Sequence, residues 1–165
     1  MLFRMDRPRS FPPSTVVSAI VPTAAVNAAF VDARGRVLLT RRSARVRSPG
    51  FWCLPGGHVE RGEGWWAAMR REAGEEVGLE PLEGKLVGIY ADPAVTLTRL
   101  ESEGVLRQFV AAVFRVDRFR GEPCANDEVD AMDWFPADRL PEPLLPSHPP
   151  RIRDVFAWAP GVFVR

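Results

Sequence analysis

The chain has 165 residues, 46% of them apolar, with 22 Lys plus Arg against 21 Asp plus Glu and a net charge of +1. This length and apolar content suit one globular domain that buries its core without disulfide or metal staples, and leave no room for a second full domain. The near-even charge offers no basic field for nucleic acid or an anionic membrane surface, so neither is an expected partner.

The first 14 residues, rich in Pro, Arg and Ser, read as a flexible arm, leaving 15–165 as a single domain. They lack the continuous apolar segment of a secretory signal, and the apolar stretch "VVSAIVPTAAVNAAFV" is too short to span a bilayer. Cys53 and Cys124 fit no zinc or redox spacing. The expectation is a cytoplasmic protein with two incidental thiols.

From about Val16 the texture becomes that of strands rich in small and β-branched residues, and the Asp32 to Gly35 turn before "RVLLTRR" predicts a hairpin. "SARVRSPGFWCLPGG" suits a structured loop and a short strand. A helix is predicted from Gly64 to Val77, where Trp66, Met69, Ala73 and Val77 form one apolar stripe, with Gly78 as the stop. Further strands are predicted at "KLVGIYAD", at "VTLTRL" and "VLRQFVAAVFRVDRF" joined by the turn "ESEG", and at "VDAMDWFP". A last helix is expected to start near Pro150. This order of elements fits an α/β fold with a mixed sheet covered by helices.

The helix carries an apparent defect. Glu72, Glu75 and Glu76 fall within an arc of about 100°, near a helix C-terminus where the dipole disfavours negative charge. Gly74 costs the helix interior roughly 1 kcal/mol more. A hard divalent cation reverses the sign of the argument: Mg²⁺ takes carboxylate oxygens, keeps several waters and is usually completed by substrate phosphates. The bland alternative is a solvated acidic face.

The flanking residues decide between them. Gly57, five residues, Glu63, seven residues, then Arg71, Glu72, Ala73, Gly74, Glu75, Glu76, Val77, Gly78 and Leu79 resemble the signature of the Nudix hydrolase family, with Ala73 standing where a bulkier aliphatic residue is usual. At lower specificity the resemblance covers about residues 16 to 145. It implies an α/β/α sandwich and Mg²⁺-dependent hydrolysis, with Mn²⁺ as a possible substitute. The substrate is a nucleoside diphosphate linked to a moiety X: a nucleoside triphosphate, ADP-ribose or a nucleotide sugar.

Carried onto this chain, the resemblance makes Gly57, Glu72, Glu75 and Glu76 the metal ligands and Glu72 or Glu75 the general base. Arg71 orients a glutamate, Glu63 bears on the loop and metal region, Gly78 ends the helix, and Glu128 in "NDEVD" is an extra ligand or base. A homodimer is compatible with the family. Competing readings are a catalytically silent nucleotide sensor, which would normally lose box glutamates, and an RNA-decapping hydrolase, which the near-neutral charge disfavours.

The remaining candidates have plainer readings. Arg41, Arg42, Arg45 and Arg47 read mostly as solvated edge-strand charge rather than phosphate contacts. His58 reads as a loop residue outside the site. Trp66 joins the apolar stripe, while Trp65 reads as surface or as the border of a base pocket.

Overall fold

The computed structural model describes residues 20–100 and 105–165, so the arm and the "ESEG" turn lie outside the described residues. The elements run β1 Ile20–Phe30, β2 Val37–Arg42, β3 Trp52–Cys53, α1 Trp65–Val77, β4 Glu80–Tyr90, α2 Pro93–Thr96, β5 Leu97–Leu100, β6 Val105–Arg120, β7 Val129–Phe135, α3 His148–Phe156 and β8 Phe163–Val164.

The large sheet has the order β1-β6-β4-β8, with β5 also pairing β6. It is mixed: β1 runs parallel to β6 from Ile20 opposite Leu106 to Phe30 opposite Val116, whereas β4 and β5 run antiparallel to β6. A second, antiparallel sheet has the order β3-β2-β7.

Period-two alternation puts the two faces of β1 in different cores. Val26, Ala28 and Phe30 pack with Ala68, Met69, Ala73 and Val77 of α1, while Ala29 joins Val87, Val113 and the α3 residues Ile152 and Val155. The large sheet therefore lies between α1 and α3, which is the expected α/β/α layering.

Three expectations are corrected. The 32–35 turn forms, with Gly35 N–H donating to the Asp32 carbonyl, but β1 and β2 enter different sheets and share only a bridge from Val31 to Val37. The predicted hairpin is a crossing between sheets. The strand expected from Val95 begins only at Leu97, because residues 93–96 form a short helix: the Asp92 side chain accepts from Ala94 N–H and Pro93 takes the first turn. Finally, α3 starts at His148 with Pro149 and Pro150 in its first turn, two residues earlier than expected.

Helix α1 is set by its own stripe, since Met69, Ala73 and Val77 are fully buried. Gly78 ends it at a φ of 68°, where a left-handed glycine costs little. The loop before β7 then satisfies the last carbonyls: Cys124 N–H donates to Val77 O and Asn126 N–H to Glu76 O. This cap carries residues 126–128 to the acidic end of the helix.

Candidate active site

The glutamates of α1 open on a cavity of about 850 Å³. Gly57, His58, Glu72, Glu75, Glu76, Asn126 and Glu128 form part of its wall. The loop from Gly56 to Gly57 is wedged between β1 and α1. A Cβ on Gly56 would lie 2.1 Å from Val26 O at a φ of 146°, and one on Gly57 would lie 2.5 Å from the carboxylate of Glu72. Only glycine lets backbone approach both neighbours this closely. The Gly57 carbonyl accepts from Val26 N–H at 2.9 Å and keeps its second lone pair.

Arg71 organises the acidic groups. Its Nε and Nη2 donate to the two carboxylate oxygens of Glu63, each at 3.0 Å, in a fork geometry that lysine cannot copy. Its Nη1 reaches Glu72 Oε1 at 2.9 Å and Glu75 Oε2 at 3.1 Å, and its Nη2 also donates to His58 O. The bond to Glu75 is an i to i+4 pair, and one guanidinium ties three box carboxylates together.

Glu76 stands apart from this cluster. It is 9% exposed, and its Oε2 accepts from Gly56 N–H at 2.8 Å. Burial, reinforced by Glu72 and Glu128 against the pull of Gly56 N–H, raises its carboxyl to about 7. Burial also raises the Glu72 carboxyl, Arg71 opposes that rise, and Glu75 and Glu128 add to it. Arg71 hydrogen bonds hold the Glu63 carboxyl below its ordinary range. The expected repulsion thus falls on Glu72 and Glu76.

Among the described residues no three carboxylate, imidazole or thiol groups converge into a ready-made metal cluster. The hydrogen bonds explain why: Glu75 is drawn to Arg71 and Glu76 to Gly56. The donor set nevertheless fits a hard divalent cation, because it is all oxygen.

Part of the remaining lining differs from the sequence expectation. Arg42, Arg45 and Arg47 line the cavity, as do Arg107 and Arg151, so the arginines before the box are not simply solvated edge charge. Arg45 pairs with Asp127, and Arg42 Nε donates to Arg47 O. Arg41 follows the bland reading, pairing with Asp130 away from the cavity. His58 lines the cavity with its ring stacked on Phe109 at 5.4 Å between centroids, whereas Trp65 does not line it. Asn27, His148 and Arg151 were not anticipated; they lie 29 residues or more from the box and carry no local motif.

Comparison with known proteins agrees with this geometry, because a model of the NUDIX domain matches residues 21–159. The chain belongs to the Nudix hydrolase family. It is 31% identical over 140 residues to an ADP-ribose pyrophosphatase of Methanocaldococcus jannaschii, covering 85% of this chain and 76% of that one. It is 30% identical over 133 residues to a CTP pyrophosphohydrolase of Escherichia coli, covering 80% and 90%. Among solved structures, a MutT Nudix hydrolase from Burkholderia pseudomallei superposes with a TM-score of 0.65 at 32% identity, covering 82% of this chain and 96% of that one. Like those proteins, this Nudix hydrolase has an α/β fold. Among the described residues no helix is long and apolar enough to cross a membrane.

Proposed function

We propose that this Nudix hydrolase is a Mg²⁺-dependent pyrophosphohydrolase that cleaves a phosphoanhydride of a nucleoside diphosphate linked to X, with a nucleoside triphosphate, ADP-ribose or a nucleotide sugar as substrate. The observation that carries this reading is that both charges line one cavity: Glu72, Glu75, Glu76 and Glu128 together with Arg42, Arg45 and Arg47. A diphosphate needs both: arginine donors for its outer oxygens and a cation-loaded acidic rack for the phosphorus under attack.

Gly57 O, Glu72, Glu75 and Glu76 are the proposed ligands, with Glu128 beside them. A divalent cation held there supplies charge neutralisation and makes water a stronger nucleophile near neutral pH. The protein's own residues do the rest. Arg71 fixes the directions of Glu63, Glu72 and Glu75. Gly56 N–H fixes Glu76. Glu72 or Glu75 takes the proton of the attacking water, since Glu76 is held in the buried corner of the site. The arginines in the lining hold the leaving phosphate in the cavity.

The test is product release from a panel of nucleoside triphosphates, ADP-ribose and nucleotide sugars, resolved by mass, with Mg²⁺ and with EDTA. Turnover that depends on Mg²⁺ and collapses in Glu72→Gln and Glu75→Gln supports the reading. Activity untouched by EDTA or by both substitutions refutes it.

A further inference from the structure

Glu128 lines the cavity together with the glutamates of α1, yet among the described residues no hydrogen bond or ion pair holds its exposed carboxylate. Its place is set by the backbone that carries it. Asn126 N–H donates to Glu76 O at 3.3 Å, which ties this loop to the end of α1. Glu128 N–H donates to Asn126 Oδ1 at 2.9 Å, a local turn closed by the asparagine side chain. The remaining hold comes from Ser43, just past β2. Its Oγ donates to Asp127 O at 2.7 Å and its N–H to Glu128 O at 2.8 Å.

Strand register explains why a clasp is needed at this point. β2 and β7 pair regularly from Val37 opposite Phe135 to Arg41 opposite Ala131, and then Arg42 lies opposite Val129. Asp130 is therefore the extra residue of a β-bulge, held by its bond from Arg41. One added residue reverses the alternation of faces. Met132 and Trp134 pack on the core, and beyond the bulge Val129 is buried while Glu128 lines the cavity. The bulge aims Glu128 at the site and interrupts the ladder that would hold it there. Ser43, 8% exposed, restores two bonds beyond the interruption.

The same residue reaches the arginines. Ser43 Oγ also accepts from Arg45 N–H at 3.2 Å, and Arg42 and Arg45, on either side of Ser43 in the chain, both line the cavity. The bonds of Ser43 thus join the loop that carries the basic lining to the loop that carries Glu128.

We propose that Ser43 is a positioning residue for the hydrolytic reaction: it clasps the 126–128 loop to the end of β2 and so holds Glu128 beside Gly57, Glu72, Glu75 and Glu76. Ser43 touches neither metal nor substrate in this role, and Glu128 is the group through which it acts. The inference rests on the metal-dependent reading above and deepens it by adding a residue outside the signature. A hydroxyl buried for stability alone would change Tm when removed and leave metal affinity as it was.

The probe is Mn²⁺ alone, titrated into the full chain and followed by the electron paramagnetic resonance of the free ion, a readout that needs no turnover. Ser43→Ala removes the bonds of Oγ and keeps the one from the N–H. It should weaken Mn²⁺ binding about 10-fold, the lower end of what outer partners of metal ligands cost, and Glu128→Ala should weaken it at least as much. The double variant should bind no more weakly than Glu128→Ala alone, because positioning has nothing left to act on once that carboxylate is gone. Tm in EDTA reports whether each variant is folded. Ser43→Cys, with a weak donor in place of the hydroxyl, replaces the alanine variant if that one does not fold, and should weaken binding in the same direction.

Wild-type affinity in the folded Ser43 variant overturns the assignment. So does a double variant weaker than Glu128→Ala by the full Ser43 factor, or wild-type affinity in Glu128→Ala. A wild-type chain that does not bind Mn²⁺ overturns the metal reading and this inference together. One that binds Mn²⁺, loses it in Glu72→Gln and keeps it in Ser43→Ala overturns this inference alone.

Discussion

Replacing Glu76 by glutamine removes one buried charge and keeps an oxygen able to accept from Gly56 N–H, so it isolates the cost of the carboxylate. The folded-state value is about 7 against an ordinary 4.5, and at 1.36 kcal/mol per pH unit the difference corresponds to about 3 kcal/mol. The sign follows from proton counting. Between pH 4.5 and 7 the folded chain keeps the proton and the unfolded chain has lost it, so wild-type stability falls as pH rises through that window.

The glutamine variant lacks this slope. In urea unfolding with EDTA, the two proteins should be nearly equal at pH 4.5, and Glu76→Gln should become more stable by up to about 3 kcal/mol at pH 8. Groups with depressed values, such as Asp32 and Asp154, give both proteins the same opposite slope and cancel in the difference. A stability difference independent of pH, or a variant less stable than wild type at pH 8, refutes the view that Glu76 is an uncompensated buried charge. Activity should be lost in the same variant, the pattern expected where a functional site is kept at the expense of stability.

Three further outcomes follow from the geometry. Mg²⁺ at 100 times its dissociation constant should stabilise the wild-type fold by about 2.7 kcal/mol, read as a rise in Tm of roughly 5 to 10 °C; an unchanged Tm at millimolar Mg²⁺ refutes the metal rack. Gly57→Ala places a Cβ 2.5 Å from the Glu72 carboxylate and must displace it, so kcat/KM should drop about 100-fold while the far-ultraviolet circular dichroism is retained. Arg71→Lys gives up the fork on Glu63 together with the reach to Glu72 and Glu75. It should lower urea stability by about 1 to 3 kcal/mol, and an unchanged midpoint would show that Arg71 does not hold the cluster.

The helix and its chemistry were readable because both are local. Met69, Ala73 and Val77 recur at helical spacing, and Arg71 lies one turn from Glu75, so neighbours in sequence are neighbours in space. The layering was readable in outline, since strand-rich segments flank one amphipathic helix. Pairing was not. β1 lies parallel to β6, more than 80 residues away, and the residues of β1 say only that they suit a buried sheet. The start of β4 escaped notice because Glu80, Pro81, Leu82, Glu83 and Gly84 show no regular alternation. The helix at Pro93 has a usable signal, the capping pair Asp92-Pro93, which falls between the two strands expected at "KLVGIYAD" and "VTLTRL".

By itself the sequence determined one end of the cavity. The order Gly57, Glu63, Arg71, Glu72, Glu75, Glu76 specifies an acidic, arginine-braced helix and the family to which it belongs, because a short helix turns fixed intervals into fixed directions. The rest of the lining was decided only by tertiary structure. Arg42, Arg45, Arg47, Asn27, His148 and Arg151 come from β1, the end of β2 and its following loop, and the first turn of α3. They meet because the large sheet packs helices on both faces and its cap swings residues 126–128 across the end of α1. Whether an arginine is solvated, paired or buried without a counter-charge depends on neighbours 40 to more than 100 residues away. Burial and desolvation are properties of the packed whole, and no interval along the chain encodes them.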